Sequence, residues 1–378
     1  MQYRRFGSLD WEVSALGFGA MRLPVINKDQ SRINEPEAMK MIHYAFDHGV
    51  NYIDTAWPYH GGTSEALVGR ALKGGYREKV RLATKLPCWA VKTVDDCEKI
   101  LNKQLDRLQT DHVDFYLLHG LNKTRWPAMR DMGVLEWAEK AKSDGRINHL
   151  GFSFHDDCEV LEEIIDSYDG WTLCQIQYNF MDIEYQAGTK GLKYAAEKGL
   201  AVVVMEPIRG GQLAKNPPDS VAELWKSAEQ QRSPAEWALQ WVWNQPEVSV
   251  VLSGMSSMRH VTENVAAADR SGPGTLTEKD LSLIEKVREE YRRLSPIPCT
   301  ACKYCMPCPN NVNIPGILGL YNDAVMYNDL NRARILYGIR IPEDERAEHC
   351  IECRECEELC PQEIPISEWI KKSHELLA

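Results

Sequence analysis

The sequence predicts an α/β protein: a (β/α)8 TIM barrel followed by a small, mainly helical, cysteine-rich domain. Three observations carry that reading. Eight short apolar, β-branched runs alternate with longer stretches of helical period over about 240 residues. The alternation breaks at SPIP, residues 295–298. Eight of the twelve cysteines lie beyond the break, in two tight groups.

The strand candidates are ALGFGAM (15–21), NYIDT (51–55), VRLATKL (80–86), VDFYLLHG (113–120), HLGFSFH (149–155), LCQIQYN (173–179), LAVVVMEP (200–207) and VSVVLSG (248–254). Helix-period segments such as SEALVGRALKG and TVDDCEKILNKQLDRLQ separate them. Strictly alternating strands and helices imply a parallel sheet, and eight strands at this length favour closure over an open sheet. The leading YRRFGSLDWEVS reads as a hairpin around Gly7–Asp10 that covers the barrel floor. Helices are expected at about 257–269 and 276–293. The domains are placed at 1–294 and 295–378.

The chain has 378 residues, 44% of them hydrophobic, and a net charge of −11. That charge argues against nucleic acid and anionic membranes as partners. The first ten residues lack the apolar core of a signal peptide, and no apolar run reaches the roughly 18 residues of a membrane span. The expected location is the cytoplasm. Clustered cysteines there point to metal rather than to disulfides.

In a barrel of this kind, chemistry sits at the C-terminal ends of the strands. Asp54, Tyr59, Lys85 and His119 occupy the ends of the second, third and fourth strands or the loop just after. Each alone reads as an ordinary rim or core residue. Together their roles are compatible. A neighbouring ammonium lowers the pKa of a phenol, a carboxylate holds the ammonium, and an imidazole orients a substrate oxygen. Such a set protonates a carbonyl oxygen while hydride reaches carbon, or runs the reverse. Trp57, Trp89 and Trp126 follow strands on the same face; they can stack on a sugar or ring substrate, or cap helices against the rim.

Residues 1–294 resemble an aldo-keto reductase. The resemblance rests on GFGAMR (17–22), NYIDTAWPYHGGTSE (51–65), ATKLP (83–87), DFYLLHG (114–120), GFS (151–153), QIQYN (175–179), MEPIRGG (205–211) and SGMSSMRHVTEN (253–264), in family order. It implies Tyr59 as general acid/base, tuned by Lys85 and Asp54, with His119 directing a small-molecule carbonyl or alcohol. It also implies a nicotinamide cofactor, NADP ahead of NAD. By matching position, Ser153 and Gln175 hold the carboxamide, and Gly19, Ala20 and Met21 line the cofactor near Asp54. Met205 and Pro207 follow the seventh strand, where many members place an aromatic ring instead of Met205. Ser253, Gly254, Ser256, His260 and Asn264 take the adenosine end. Gly254 and His260 replace the Lys and Arg of members that prefer a 2′-phosphate, with Arg259 and Ser256 nearby.

Cys350, Cys353, Cys356 and Cys360 follow C-x2-C-x2-C-x3-C-P, the bacterial ferredoxin run for a [4Fe–4S] cluster. CTACKYCMPCP supplies Cys299, Cys302, Cys305 and Cys308, with a shorter last spacing. The resemblance to two-cluster ferredoxins implies crossed sets: Cys299, Cys302, Cys305 and Cys360 for one cluster, and Cys350, Cys353, Cys356 and Cys308 for the other. The rival is a pair of zinc sites, which usually uses two short C-x2-C knuckles. Glu348, Glu352, Glu355, Glu357 and Glu358 crowd the second run, either lowering a cluster potential or forming a solvated acidic face.

Nicotinamide moves two electrons together and iron–sulfur clusters move one. Three readings follow. The first is an NAD(P)H-dependent carbonyl reductase with structural or redox-sensing clusters. The second is an electron-transfer enzyme served by an external ferredoxin-like partner. The third is a redox sensor on a barrel no longer catalytic. The intact set of four favours the first two.

Overall fold

The computed structural model describes residues 1–299, 301 and 303–378. They form two compact units, one of Met1–Leu213 with Ala235–Leu281 and one of Ala214–Pro234 with Ser282–Ala378.

The first unit opens with an antiparallel pair, β1 (Tyr3–Arg5) and β2 (Glu12–Ser14), in register Tyr3↔Ser14. Eight parallel strands follow: β3 (Leu16–Gly19), β4 (Tyr52–Asp54), β5 (Arg81–Leu86), β6 (Val113–Leu121), β7 (Ile147–Phe154), β8 (Trp171–Gln177), β9 (Ala201–Met205) and β10 (Val248–Ser253). They close in the order β10-β3-β4-β5-β6-β7-β8-β9. The eight apolar runs therefore lie where the sequence put them.

The hairpin plugs the barrel floor. Phe6 is fully buried, with its ring 4.7 Å from Phe115 and 5.9 Å from Tyr52. Gly7 makes this approach possible. It has φ +57°, and a Cβ there would stand 2.4 Å from the Ala201 nitrogen, a position open to glycine alone. With Phe6, inward residues of the barrel strands, among them Ala83, Leu117, Leu173 and Val203, fill the interior.

The second unit packs helices Ile314–Met326, Leu330–Arg340 and Ile366–Leu377 around Ile317, Leu318, Tyr337, Ile364 and Ile370. Asn313 starts the first of these. Its side chain accepts from the Gly316 N–H and donates to Glu345 Oε2 at 2.8 Å, with Pro315 in the opening turn. Asn322, buried, pairs with both the N–H and the carbonyl of Ile297 at 3.0 and 2.8 Å. The stretch between the cysteine groups is largely helical, in keeping with a mainly helical second domain. Cys299, Cys305, Cys308, Cys350, Cys356 and Cys360 pack on the edge of this core. Among the described residues no helix is long and apolar enough to cross a membrane.

Candidate active site and cysteine hollows

Strands β4, β5 and β6 are barrel neighbours, so their ends converge. Asp54 pairs in register with Ala83, and Lys85 with Leu117. Ala83 and Lys85 share a face by the two-residue period of a strand. The Lys85 Nζ lies 2.6 and 2.7 Å from the two Asp54 oxygens, 2.9 Å from the Thr55 carbonyl and 3.4 Å from the Tyr59 hydroxyl. Lys85 is 0% exposed and Asp54 2%. Burial alone would lower the Lys85 ammonium; the Asp54 carboxylate and Tyr59 outweigh it and hold it above its ordinary value. Burial pushes the Asp54 carboxyl up, and the ammonium draws it back.

The structure thus brings all four residues of the predicted set together. Tyr59 meets the His119 ring edge-on, at 6.2 Å and 84°. One expectation changes. Burial raises the Tyr59 phenol above its ordinary value, although Lys85 and Arg22 pull it down. The ammonium moderates the desolvation and does not reverse it. His119 falls well below its usual value through burial and the Lys85 charge, so it is a neutral imidazole at physiological pH. Its Nδ1 is buried without a hydrogen-bond partner.

The three tryptophans separate. Trp126 is 1% exposed and packs on Trp171 at 6.0 Å, so it belongs to the core. Trp57 faces Arg107 and Lys103 at 4.1 and 5.4 Å. Trp89 is 49% exposed, 4.9 Å from His119 and 5.9 Å from the Arg125 guanidinium. Of the three, it is the most exposed and the one whose ring lies beside His119.

Sequence reasoning missed two supports. Glu65, fully buried, accepts from Thr84 Oγ1 at 2.8 Å, Gln104 Nε2 at 2.6 Å and Arg107 at 2.9 Å; Gln104 also reaches the Lys85 carbonyl at 3.0 Å. This network fixes the strand that carries Lys85. Gln104, a polar residue on the otherwise apolar buried face of the helix Val94–Leu108, was the available signal. His60 is the second. Its backbone is left-handed (φ 53°), its Nε2 accepts from the Leu23 N–H at 3.1 Å, and its Nδ1 donates to the Gln30 carbonyl at 2.8 Å. Gly61 and Gly62 continue with φ 62° and 88°.

Ser153 and Gln175 are register partners on β7 and β8. Ser153 Oγ accepts from the Gly120 N–H at 2.8 Å, which leaves its hydroxyl proton to donate. Gln175 Nε2 contacts the Met205 sulfur at 3.7 Å, and its buried Oε1 has no partner. Pro207 is buried just beyond Met205. Gly19 packs under the end of β10, where a Cβ would lie 3.2 Å from the Ser253 carbonyl. Ala20 is buried and Met21 is 53% exposed. Gly254 is exposed, and a Cβ there would lie 3.0 Å from Arg22 Cγ. Asn264 donates to Ser253 Oγ at 3.0 Å, and the Ser256 N–H points to His260 Nδ1 at 3.4 Å. Arg259 is paired with Glu263 at 2.6 Å.

The cysteines border two hollows. One is lined by Cys305, Cys308, Cys350, Cys353 and Cys356. The other is lined by Cys299, Cys305 and Cys360. Cys302 lies outside the described residues. Cys308 thus stands with the second run and Cys360 with the first. Ala301, Lys303, Glu352 and Arg354 have φ of 55°, 64°, 55° and 62°, the same two positions in both runs. Left-handed residues in such loops turn backbone N–H groups toward an enclosed anion. The Glu352 N–H donates to the Cys350 sulfur; burial, with Cys308 and Cys353 close by, pushes that thiol up. Among the described residues no three His, Cys, Asp or Glu side chains are drawn together as a single metal ion would need.

Comparisons with known proteins agree with both halves. The model described as aldo/keto reductase family matches residues 15–289, and the 4Fe-4S dicluster domain model matches 298–364. L-galactose dehydrogenase from Arabidopsis thaliana is 28% identical over 319 residues, covering 78% of this chain and 97% of that protein. Probable aldo-keto reductase 1 from Glycine max is 27% identical, covering 73% of this chain and 86% of that one. Among solved structures, an aldo-keto reductase from Bacillus halodurans in its holo form matches with a TM-score of 0.63 at 28% identity, over 76% of this chain and 96% of its own. One from Klebsiella pneumoniae in complex with NADPH gives 0.60 at 26%, over 76% and 95%. The chain belongs to the aldo/keto reductase family of oxidoreductases and carries a 4Fe-4S dicluster domain C-terminal to its barrel.

Proposed function

We propose that the barrel reduces an aldehyde, ketone or sugar carbonyl, or oxidises the corresponding alcohol, with NAD(P)(H). One observation carries the reading: a fully buried ammonium bridges Asp54 and the Tyr59 hydroxyl. Tyr59 delivers the proton to the substrate oxygen. Lys85 stabilises the phenolate left behind, and Asp54 keeps Lys85 charged. His119, neutral, directs the oxygen by hydrogen bonding rather than by charge.

The residues present fit a nicotinamide. The orphaned Gln175 Oε1 would accept a carboxamide N–H, and the Ser153 hydroxyl would donate to the carboxamide oxygen. Gly19, Ala20, Met21, Met205 and Pro207 would line that end, with Ser253, Gly254, Ser256, His260 and Asn264 at the adenosine end. Arg22, near both Gly254 and Tyr59, is a further cation for the phosphates. When bound, the cofactor supplies or takes up hydride.

The cysteine hollows fit two [4Fe–4S] clusters in crossed sets: Cys299, Cys302, Cys305 and Cys360, and Cys308, Cys350, Cys353 and Cys356. The supports are the soft donor set, the repeated left-handed turns and the N–H···S contact. Bound clusters supply one-electron chemistry.

Tyr59→Phe tests the barrel reading. Loss of the acid should lower carbonyl reduction by at least about a hundredfold while cofactor binding persists. Turnover within a few-fold of the parent chain would overturn the assignment.

A further inference from the structure

The hollow shared by Cys308, Cys350, Cys353 and Cys356 opens onto an unusual surface. Cys353 is exposed. Ile351 and Leu359, which line the same hollow, are 67% and 60% exposed. Exposed apolar side chains rimmed by polar residues are the pattern of an interaction site. Glu355 lines the hollow with them, and in the same segment, 348–363, Glu348, Glu352, Glu358 and Glu363 are also exposed, against one exposed Lys or Arg, Arg354. A cluster held there by four thiolates would add further negative charge beneath.

We propose that this surface docks a one-electron carrier protein whose contact face has a small apolar centre ringed by Lys and Arg. The inference rests on the cluster reading above and adds which cluster meets the partner and what charge that partner bears. The apolar pair supplies the dry centre of a small interface, and the carboxylates supply steering. The exposed Cys353 sets one cluster ligand at the contact. One electron crosses per encounter: the carrier is oxidised by one as the cluster is reduced by one, or the reverse, and no bond or proton moves. A carrier with an acidic face meets like charge and is excluded.

The test uses the full-length holoprotein, reduced anaerobically with dithionite. The probes are ferricytochrome c, with its lysine-ringed face, and ferricyanide, a small anion. Cytochrome c reduction should slow about tenfold from about 20 to about 300 mM salt. The triple change Glu352→Gln, Glu355→Gln, Glu358→Gln should cut the low-salt rate about tenfold and flatten the salt dependence. Its ferricyanide rate should hold or rise. Ile351→Ser with Leu359→Ser should slow cytochrome c at every salt concentration. A cytochrome c rate indifferent to salt, or unchanged by the triple substitution, overturns the proposal.

Iron and sulfide are measured on every sample. A parent chain without iron sinks the cluster reading, and this proposal with it. Intact iron with unchanged cytochrome c rates sinks the docking surface alone. Should the triple variant lose iron, Glu348→Gln with Glu363→Gln, outside the cysteine spacing, gives the same reading.

Discussion

Replacing Lys85 by Met removes the ammonium and leaves Asp54 at 2% exposure with no counter-charge. Breaking a buried pair from one side costs about 3–5 kcal/mol. Asp54 can escape part of that by taking a proton. Its folded pKa then lies above the unfolded value near ~3.9, so the stability it contributes is present at low pH and lost as pH rises. The deficit should therefore be near its full size at about pH 8. It should shrink by about 1.4 kcal/mol for each pH unit below the new pKa. Adding Asp54→Leu removes the orphan charge, and the double variant should recover most of the loss. Urea unfolding followed by tryptophan fluorescence reads this out, because only Trp225 and Trp369 lie outside the barrel unit. A Lys85→Met deficit below about 1 kcal/mol at pH 8, or a double variant no more stable than the single, would refute the buried pair.

The raised Tyr59 phenol predicts that kcat/KM for reduction, which reports the free enzyme, stays flat to above about pH 10 and then falls as the acid form is lost; a fall starting near neutrality would contradict it. Gln175→Leu should weaken nicotinamide dinucleotide binding about tenfold in a fluorescence titration, and unchanged affinity would remove Gln175 from the carboxamide. Crossed ligand sets predict that Cys360→Ala and Cys299→Ala, alone or combined, each lower iron from about eight to about four per chain. Cys360→Ala combined with Cys350→Ala should remove nearly all of it. Uncrossed sets would give the opposite result for that pair.

The barrel was readable because its strands are continuous β-branched runs, and the convergence of the candidate site residues because parallel neighbours end at one rim. Asp54, Lys85 and His119 each sit one face of one strand from the next, so spacing alone could align them. Trp57, Trp89 and Trp126 could not be told apart that way. Their loops are irregular, and only packing decides that Trp126 turns inward while Trp89 meets solvent. Glu65 was hidden for another reason: its partners Thr84, Gln104 and Arg107 are 19 to 42 residues away. The phenol's upward shift was illegible too, because desolvation is a property of the closed site and not of any motif. Residues 214–234 join the second unit through contacts that no local pattern announces.

The backbone around His60 has a consequence for how the barrel tolerates change. Three successive left-handed residues make a corkscrew against the usual hand, and the only one bearing a side chain is clasped at both ring nitrogens. Glycine at 60 would relax the dihedral yet unclasp both ends. Alanine would unclasp them and keep the strain. The ring at 60 therefore ties the loop after β4 to the Leu23 and Gln30 backbone, and either substitution would free the segment that follows Tyr59 from both anchors.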